Sequence, residues 1–461
     1  MILGSVLNPV NSSMLAVALI PIGRAFDVPP SRTGWLVSGL YLATAVGQPV
    51  MGRLVDMFGP RRLYLTGTAL VGVAGVLGVL APSLGVLIVS RVLLGLGTSA
   101  AYPASMHLLR TESDRTGMKS PAGILSALSI SNQVIAVIGP TLGGLLIGAG
   151  GWQLIFGVNV PLAAACLVLG ALRLPAATAP ASGRAPDRDV DLPGIGLFTV
   201  MLTAFMFFLM NPGPGQWYLV VAGTMAAAAF GRRELRTGRP FIDLRVLRGN
   251  APLLATYGRQ LLSATTSYAF LYGYSQWLQE GRSLSASTAG LLMLPMSVAA
   301  IAVTVATGRR AVIRGKLVAG ALSQLAACAA LLLLGPVTPL WVLVLVGVVV
   351  GIPQGLLGLA NQNALYAQAD PARMGSSAGL LRTFMYLGAL FASAAAATFY
   401  RHGATTAGLH GLGLLLLAVA AALLLASLAD RSLRRPGRTS GSADPSGHRT
   451  GNPKPSSLKG S

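Results

Sequence analysis

A compact block of charged residues separates the second and third apolar stretches of this chain. Gly52 and Gly59 enclose a single acid, Asp56, and the basic pair Arg61 and Arg62 follows. A carboxylate at this spacing can interact with the positive end of a helix or pair with a neighbouring arginine, and glycine allows a tight turn. The block therefore predicts a charged turn between two helices that acts as a conformational switch. The alternative is a turn that only fixes membrane topology.

A further basic residue, Arg91, lies inside an apolar stretch and is followed by Gly95 and Gly97. A charged side chain within a membrane-spanning helix is costly and usually serves a function. We therefore predict that Arg91 either takes part in coupling transport to its driving force or binds the substrate. The alternative is that its long side chain extends to the membrane surface.

Another apolar stretch contains a proline among glycines, with Gly139 and Pro140 followed by Gly143 and Gly144. Proline removes a backbone hydrogen bond and kinks a helix, and small residues let two membrane helices approach closely. The spacing predicts a kinked helix that could gate a pathway. Simple close packing is the alternative.

Carboxylates are missing from the middle of every apolar stretch, since all thirteen acids lie in or beside loops. The buried carboxylate of a proton relay is therefore not apparent. The first stretch holds Asn11, whose amide cannot carry a proton near physiological pH. Proton coupling could instead use Asp56 or His107, whose imidazole titrates in the right range, or there could be no coupled proton.

The composition is that of a membrane protein, with 53% hydrophobic and 10% charged residues, whereas soluble domains carry roughly 25% charged residues. The net charge of +21 is spread over short blocks between apolar runs, which argues against nucleic acid as a partner. Cys166 and Cys328 both lie in apolar runs and predict neither a disulfide framework nor a metal site. The sequence contains no phosphate-binding, zinc or nucleophile signature. We therefore expect that the protein is not an enzyme and binds neither a cofactor nor a metal.

Each membrane-spanning helix needs about 20 apolar residues, and the chain offers fourteen such stretches. They are 2–22, 33–52, 63–82, 84–109, 121–147, 152–172, 192–211, 216–230, 251–278, 285–307, 316–335, 338–365, 374–399 and 408–429.

The basic residues support an even number of spans. Of the 34 lysines and arginines, 27 fall in the loops after even-numbered spans or in the C-terminal tail, 4 in the other loops and 3 within spans. Basic loops prefer the cytoplasmic side. We therefore expect a multi-pass cell-membrane protein with both termini in the cytoplasm.

These segments resemble those of major facilitator superfamily transporters. The first block is similar to the loop after their second helix, G-x-L-x-D-x-x-G-x-R-[RK]. The Arg91 segment resembles R-x-x-Q-G-x-G, with Leu94 in place of the glutamine. The Pro140 segment resembles the antiporter pattern G-x-x-x-G-P-x-x-G-G, with Ile135 in place of the first glycine.

The count of fourteen spans and the antiporter-type segment narrow the resemblance to the fourteen-helix drug:proton antiporter family, which comprises multidrug exporters. The stretch 191–194 resembles the start of that family's extra helix pair, and 375–380 with Arg382 also fits it. The chain departs from the family at Asn11, where these exporters usually carry an aspartate.

The resemblance implies an all-α polytopic membrane protein with the major facilitator fold. Two six-helix bundles, 1–173 and 251–430, would flank a cytoplasmic linker and inserted helix pair at 174–250. Residues 431–461 would form a disordered, basic cytoplasmic tail. Substrate would bind between the bundles near the midplane.

Polar and aromatic residues at suitable depths are candidates for the substrate cavity. They are Asn8, Asn11, Tyr102, Asn132, Gln133, Arg259, Tyr268, Tyr272, Gln354, Asn361, Arg382 and Tyr386. A cavity with two arginines and no acid disfavours cations.

The sequence thus predicts a secondary active transporter that exports a small neutral or anionic amphipathic molecule by alternating access. Proton-coupled antiport is the leading mechanism by resemblance. An uncoupled facilitator and a non-transporting membrane sensor or scaffold are the alternatives. The expected partners are a small-molecule substrate, protons and membrane lipid, and we expect a monomer.

Overall fold

The computed structural model is all-helical over the residues that it describes. These are residues 2–101, 103–105, 138–174, 191–210, 213–238, 240–242, 244–308, 312–369 and 374–430.

Fourteen helices lie where the sequence predicts spans. The first eight are α1 (Ile2–Ala25), α2 (Pro30–Phe58), α3 (Pro60–Val79), α4 (Leu84–Ser99), α5 (Ile138–Gly150), α6 (Leu154–Arg173), α7 (Leu192–Met210) and α8 (Trp217–Arg236). The last six are α9 (Ala251–Ala269, continuing through Phe270–Tyr274 and Ser275–Glu280), α10 (Ala286–Gly308), α11 (Ile313–Leu331), α12 (Leu340–Gln368), α13 (Met374–Phe399) and α14 (Thr406–Ala429). A six-residue helix, Leu244–Gly249, precedes α9.

Eight of the described helices are long and apolar enough to cross a membrane. Large apolar side chains point outward from them, among them Leu172, Val305 and Leu425. An apolar exterior suits a lipid solvent, in which the helices satisfy their own backbone hydrogen bonds. These features confirm the prediction of an all-α, multi-pass membrane protein. The orientation of its termini stays a prediction.

The turn between α2 and α3 is shorter than the sequence predicts. Gly52 and Asp56 lie within α2, whose helix continues to Phe58, and the turn consists of Gly59 alone. Gly59 has φ 88°, a left-handed conformation that glycine adopts at little cost. The next residue, Pro60, starts α3, because proline suits the first position of a helix. Gly52 stays helical within α2, so the helix extends through the charged block as far as Phe58.

The helices pack into two groups with an inserted pair beside them. In the first group α4 packs on α2 and α3, and α6 on α3. In the second, α12 packs on α10 and α11, and α14 on α9 and α11. The groups meet where α2 packs along α13 and where α1 contacts α9 and α10. Helix α7 packs on its partner α8 and also on both α2 and α13. The domain limits drawn from the sequence, at residues 173 and 250, stay predictions.

Candidate functional site

Four tyrosines form an aromatic cluster at the junction of the two groups. Tyr41 on α2 is central: its ring centroid lies 5.2 Å from that of Tyr268, 5.6 Å from that of Tyr386 and 6.4 Å from that of Tyr272. Tyr268 and Tyr272 stack on each other at 6.2 Å. Three helices from both groups thus contribute rings to one aromatic surface, on which a planar or amphipathic molecule could pack.

The tyrosine hydroxyls join the groups through directed hydrogen bonds. The Tyr272 hydroxyl lies 2.8 Å from the backbone carbonyl of Ser12 on α1 and 2.9 Å from the hydroxyl of Tyr41. A carbonyl only accepts, so Tyr272 donates its proton to Ser12. Tyr41 must therefore donate to Tyr272, and the three groups form a chain.

A local irregularity in α9 carries Tyr272. Residues Phe270–Tyr274 are wound as a π-helix, a wider turn that is frequent at functional sites. Tyr400 on the neighbouring chain segment donates a hydrogen bond of 3.1 Å to the Gly273 carbonyl, which satisfies one acceptor of this turn. Just beyond it, Ser275 donates to the Ala16 carbonyl on α1 at 2.9 Å.

Arg91 lies fully inside the protein, with 1% of its surface exposed. Its Nε donates to the Leu36 carbonyl at 3.2 Å, and one terminal nitrogen donates to the Asn11 carbonyl at 3.3 Å. The other terminal nitrogen is buried and has no hydrogen-bond partner among the described residues. Tyr41 and Tyr272 lie within electrostatic reach of the guanidinium. The alternative in which Arg91 extends to the membrane surface is therefore wrong.

Asn11 forms a reciprocal amide pair with Asn159 on α6. The Asn11 amide donates to Asn159 at 2.5 Å and accepts from it at 2.8 Å. The Asn11 amide also donates to the Leu7 carbonyl at 2.8 Å. One turn earlier, Asn8 donates to the Thr98 hydroxyl on α4 at 2.9 Å. Both amides predicted for the cavity thus join α1 to its own group, and it is the Asn11 backbone that meets Arg91.

Arg259 is held in an ion pair. Its guanidinium donates to the Asp430 carboxylate at 2.6 Å and to the Thr256 hydroxyl at 2.6 Å. Arg259 precedes Tyr268 by nine residues of α9, or roughly 14 Å at 1.5 Å per residue. The expectation of two cavity arginines without an acid is therefore wrong for Arg259, because the chain returns after α14 and brings Asp430 to it.

The other cavity candidates occupy different depths. Asn361 on α12 donates to Gln260 at 3.1 Å, and Gln354 donates to the Met296 sulfur at 3.5 Å. Arg382 on α13 lies within electrostatic reach of the Tyr268 hydroxyl. Of these three, the structure brings only Arg382 to the tyrosine cluster.

The basic pair of the charged block, at the start of α3, lies near the end of α6. Arg61 donates to the Ala171 carbonyl at 2.8 Å, and Arg62 is exposed. The side chain of Asp56 lies outside the described residues. So do Tyr102, Asn132, Gln133, His107 and the tail 431–461.

The glycines beside Pro140 bring α5 against helices of both groups. A Cβ atom at Gly143 would lie 2.8 Å from the Met14 carbonyl oxygen on α1. One at Gly144 would lie 2.6 Å from the Ala286 carbonyl oxygen at the start of α10. Both distances are shorter than Cβ contacts allow, so only glycine fits. Small residues thus serve the close approach that the sequence predicts.

Hydrogen bonds also cross this seam. Thr141 donates to the Gly290 carbonyl at 3.0 Å, and Ser287 donates to the Gly144 carbonyl at 2.8 Å. Elsewhere between the groups, Ser393 donates to the Gly34 carbonyl at 3.0 Å. These contacts lie near the helix ends remote from the N-terminus of α1. The two groups are therefore joined on the side of the membrane opposite to the start of α1, which we call the far side.

Sequence reasoning missed Tyr41 and Asn159 as members of this site. Tyr41 is a polar aromatic residue in the middle of the second apolar stretch, the same signal that selected Tyr268, Tyr272 and Tyr386. Asn159 stands in the stretch that follows the antiporter-type segment, but the sequence gives no sign that it meets Asn11 across 148 residues.

The family model described as Major Facilitator Superfamily matches residues 1–393 of the chain. One relative, named as an uncharacterized MFS-type transporter, YwoD of Bacillus subtilis (strain 168), is 32% identical over 437 residues, which are 94% of this chain and 96% of that protein. The lincomycin resistance protein of Streptomyces lincolnensis is 32% identical over 298 residues, which are 63% of this chain and 60% of that protein.

A solved structure has the same fold at low sequence identity. A mutant of the nucleoside transporter NupG matches with a TM-score of 0.63 over 93% of this chain and 98% of that one, at 12% identity. At this identity the likeness concerns the fold alone.

Proposed function

This chain belongs to the major facilitator superfamily of membrane transporters, and on that premise we propose that it exports a small neutral or anionic amphipathic molecule. The substrate packs against the tyrosine cluster between the two groups of helices. Drug resistance in a relative supports export of a drug or metabolite.

One observation carries the charge preference. Arg91 is a buried cation beside Tyr41 and Tyr272, with one terminal nitrogen unsatisfied. A buried unpaired cation costs free energy unless charge or hydrogen bonds compensate it. None of the described residues places a carboxylate on it. A substrate oxygen, neutral or anionic, would satisfy the free nitrogen, whereas a cationic substrate would add repulsion.

Alternating access follows from the packing of the groups. The α5–α10 seam and the Ser393–Gly34 hydrogen bond join the groups on the far side, and the tyrosine hydroxyls add to these contacts. Opening requires the α5–α10 seam and the Tyr272–Ser12 hydrogen bond to separate. A substrate shifts such an equilibrium only by binding one state better than the other. The cluster is suited to this because both groups contribute to it.

Proton-coupled antiport is our proposed mechanism. Uncoupled facilitation is the second candidate, favoured by a specific observation: no carboxylate is buried beside the tyrosine cluster in the described part of the chain. Asp56, near the end of α2, is the candidate acid for proton coupling.

Flux into vesicles containing the purified protein separates these mechanisms. Antiport predicts that an imposed pH gradient drives substrate against its own concentration gradient. Facilitation predicts flux that follows only the substrate gradient. A protein that moves no amphipathic anion or neutral molecule above protein-free vesicles would overturn the proposed function.

A further inference from the structure

The inserted helix pair holds two acids whose arrangement the transport site does not explain. Asp191 immediately precedes α7, and Glu234 lies in the last turn of α8, beyond the predicted span 216–230. Glu234 is fully buried. It is the only carboxylate among the described residues that reaches this degree of burial.

Each of the two carboxylates has one satisfied and one unsatisfied oxygen. Asp191 receives all its donors on Oδ1: the Gly194 N–H at 2.9 Å and the Arg233 guanidinium at 2.7 and 2.8 Å. Glu234 accepts the Ile242 N–H on Oε2 at 2.7 Å. Asp191 Oδ2 and Glu234 Oε1 are buried and receive no donor from the part of the chain that the structure describes.

The two unsatisfied oxygens face each other. Both lie against Gly194, at the point where a side chain on that residue would begin, and the carboxyl groups are within hydrogen-bonding reach. Two ionised carboxylates offer only acceptors, so nothing in the pair can satisfy either oxygen. One added proton completes the arrangement, because a protonated carboxyl donates to its neighbour.

Aromatic side chains pack on each other one helical turn from the pair. Phe230 lies one helical turn before Glu234 and packs on Phe198 at 5.4 Å between ring centroids. Phe241 also packs on Phe198, at 5.6 Å between ring centroids. Burial among such groups disfavours a second negative charge.

We propose that Asp191 and Glu234 bind one shared proton, and that this proton joins the start of α7 to the end of α8 and to the segment that leads into α9. Asp191 keeps its negative charge and its ion pair with Arg233. Glu234 carries the proton and donates it to Asp191 Oδ2, while its other oxygen holds the Ile242 N–H.

The surrounding charges agree with this assignment. Burial raises the pKa of Glu234 to about 7, and Asp191 adds to this increase while the Ile242 N–H opposes it. Burial also acts to raise the pKa of Asp191, but hydrogen bonds from Arg233 and Gly194 outweigh it and lower that pKa. Arg245, from the short helix before α9, instead donates to the Leu235 and Thr237 carbonyls.

The position of the pair gives the proton a consequence for transport. Helix α7 contacts both α2 and α13, which belong to different groups of helices. A proton that fixes the start of α7 therefore acts on a helix that touches both moving parts. This consequence rests on the proposed function, whereas the proton site itself does not.

The test is the thermal unfolding midpoint of the detergent-solubilised full chain, followed from about pH 5 to about pH 9. The folded pKa of Glu234 is raised, so stability from the shared proton is present at low pH and lost as the pH rises through about 7. We expect the wild-type midpoint to fall across this range. Glu234→Gln, whose amide mimics the protonated acid, should remove that step.

The matched control is Glu280→Gln. Glu280 also accepts a backbone N–H, that of Ala404 at 2.8 Å, but it is exposed. This control should keep the wild-type step. An unchanged step in Glu234→Gln would overturn the proposal, and so would a midpoint that depends on sodium concentration rather than on pH.

Infrared titration of the wild-type protein keeps the proposal testable if Glu234→Gln does not fold. We expect the wild-type protein to show a protonated carboxyl band that disappears as the pH rises through neutrality. Glu280→Gln should show the same band. A wild-type protein without such a band would contradict the shared proton. In vesicles, Glu234→Gln should lose any step near pH 7 in the pH profile of flux. A profile equal to that of the wild type would mean that the shared proton stabilises the fold but does not affect transport. Failure of transport in every variant would contradict the proposed function and leave the proton measurement valid.

Discussion

At the scale of single residues, the central feature is Arg91, which is buried and contacts no acid among the described residues. Arg91 is surrounded by backbone carbonyls and tyrosines, and the Asn11 amide is engaged with Asn159. Asn11 is therefore a neutral bridge between α1 and α6. In the proposed function, the guanidinium is therefore available to a substrate.

Asn11→Asp tests this availability. The new carboxylate would lie beside the backbone that Arg91 contacts and would compete with an anionic substrate for the guanidinium. Hydrogen bonds to charged groups contribute about 1.5–3 kcal/mol, so we expect anion flux to fall roughly tenfold or more. Arg91→Lys should also weaken flux, because lysine lacks the planar fork.

The control for Asn11→Asp is Asn8→Asp, which places an acid one turn away on the same helix, where the amide contacts Thr98. Its anion flux should fall less. Wild-type anion flux in both Asn11→Asp and Arg91→Lys would show that substrate does not use Arg91.

Residue type and depth in a span were enough to predict part of the site. Arg91, Tyr268, Tyr272 and Tyr386 were selected on these grounds, and the structure brings them together. The partner of Arg259 could not be predicted, because Asp430 lies 171 residues further along the chain. Contacts of that kind depend on how whole helices pack, and a single sequence does not contain that information.

At the scale of elements, helix positions follow from the apolar stretches, and helix ends follow from local breakers. The charged block from Gly52 to Arg62 was predicted as a turn because of its charges and glycines. Only Gly59, followed by Pro60, ends the helix, because a single glycine such as Gly52 can remain helical at a cost of about 1 kcal/mol. The close approach at Gly143 and Gly144 was predicted correctly in kind. The sequence could not predict that α10 is the helix that α5 approaches at this seam.

Gly144→Ala tests the seam between α5 and α10. The added Cβ atom would meet the Ala286 carbonyl oxygen at 2.6 Å, and overpacking of this kind costs about 1–3 kcal/mol. We expect the closed state of the far side to lose about fivefold or more in population. The measurement is the labelling rate of Ser38→Cys, near the Ser393 contact, by a membrane-impermeant maleimide, in a protein whose two native cysteines have been replaced.

Gly358→Ala on α12 is the matched control, because a Cβ atom there meets no heavy atom within 4 Å. Its labelling rate should equal that of the starting protein. Equal rates in Gly144→Ala would mean that the seam does not control closure.

At the scale of the whole molecule, two groups of helices meet along α2 and α13 and at the α5–α10 seam in the described part of the chain, and a buried cation lies beside the aromatic surface between them. The inserted pair contacts both groups and has its own acid pair at one end. The proposed alternating access uses a surface to which both groups contribute, and in that proposal the charge at this surface selects the substrate.

The most direct test of this account is the flux of matched dyes through vesicles that contain the purified protein. Carboxyfluorescein, its neutral ester and a rhodamine cation share one ring system and differ in charge. We predict flux of the anion or the ester above protein-free vesicles, exclusion of the cation, and loss of anion flux in Arg91→Ala. Preferential flux of the rhodamine cation, or equal anion flux in Arg91→Ala and wild type, would contradict the account.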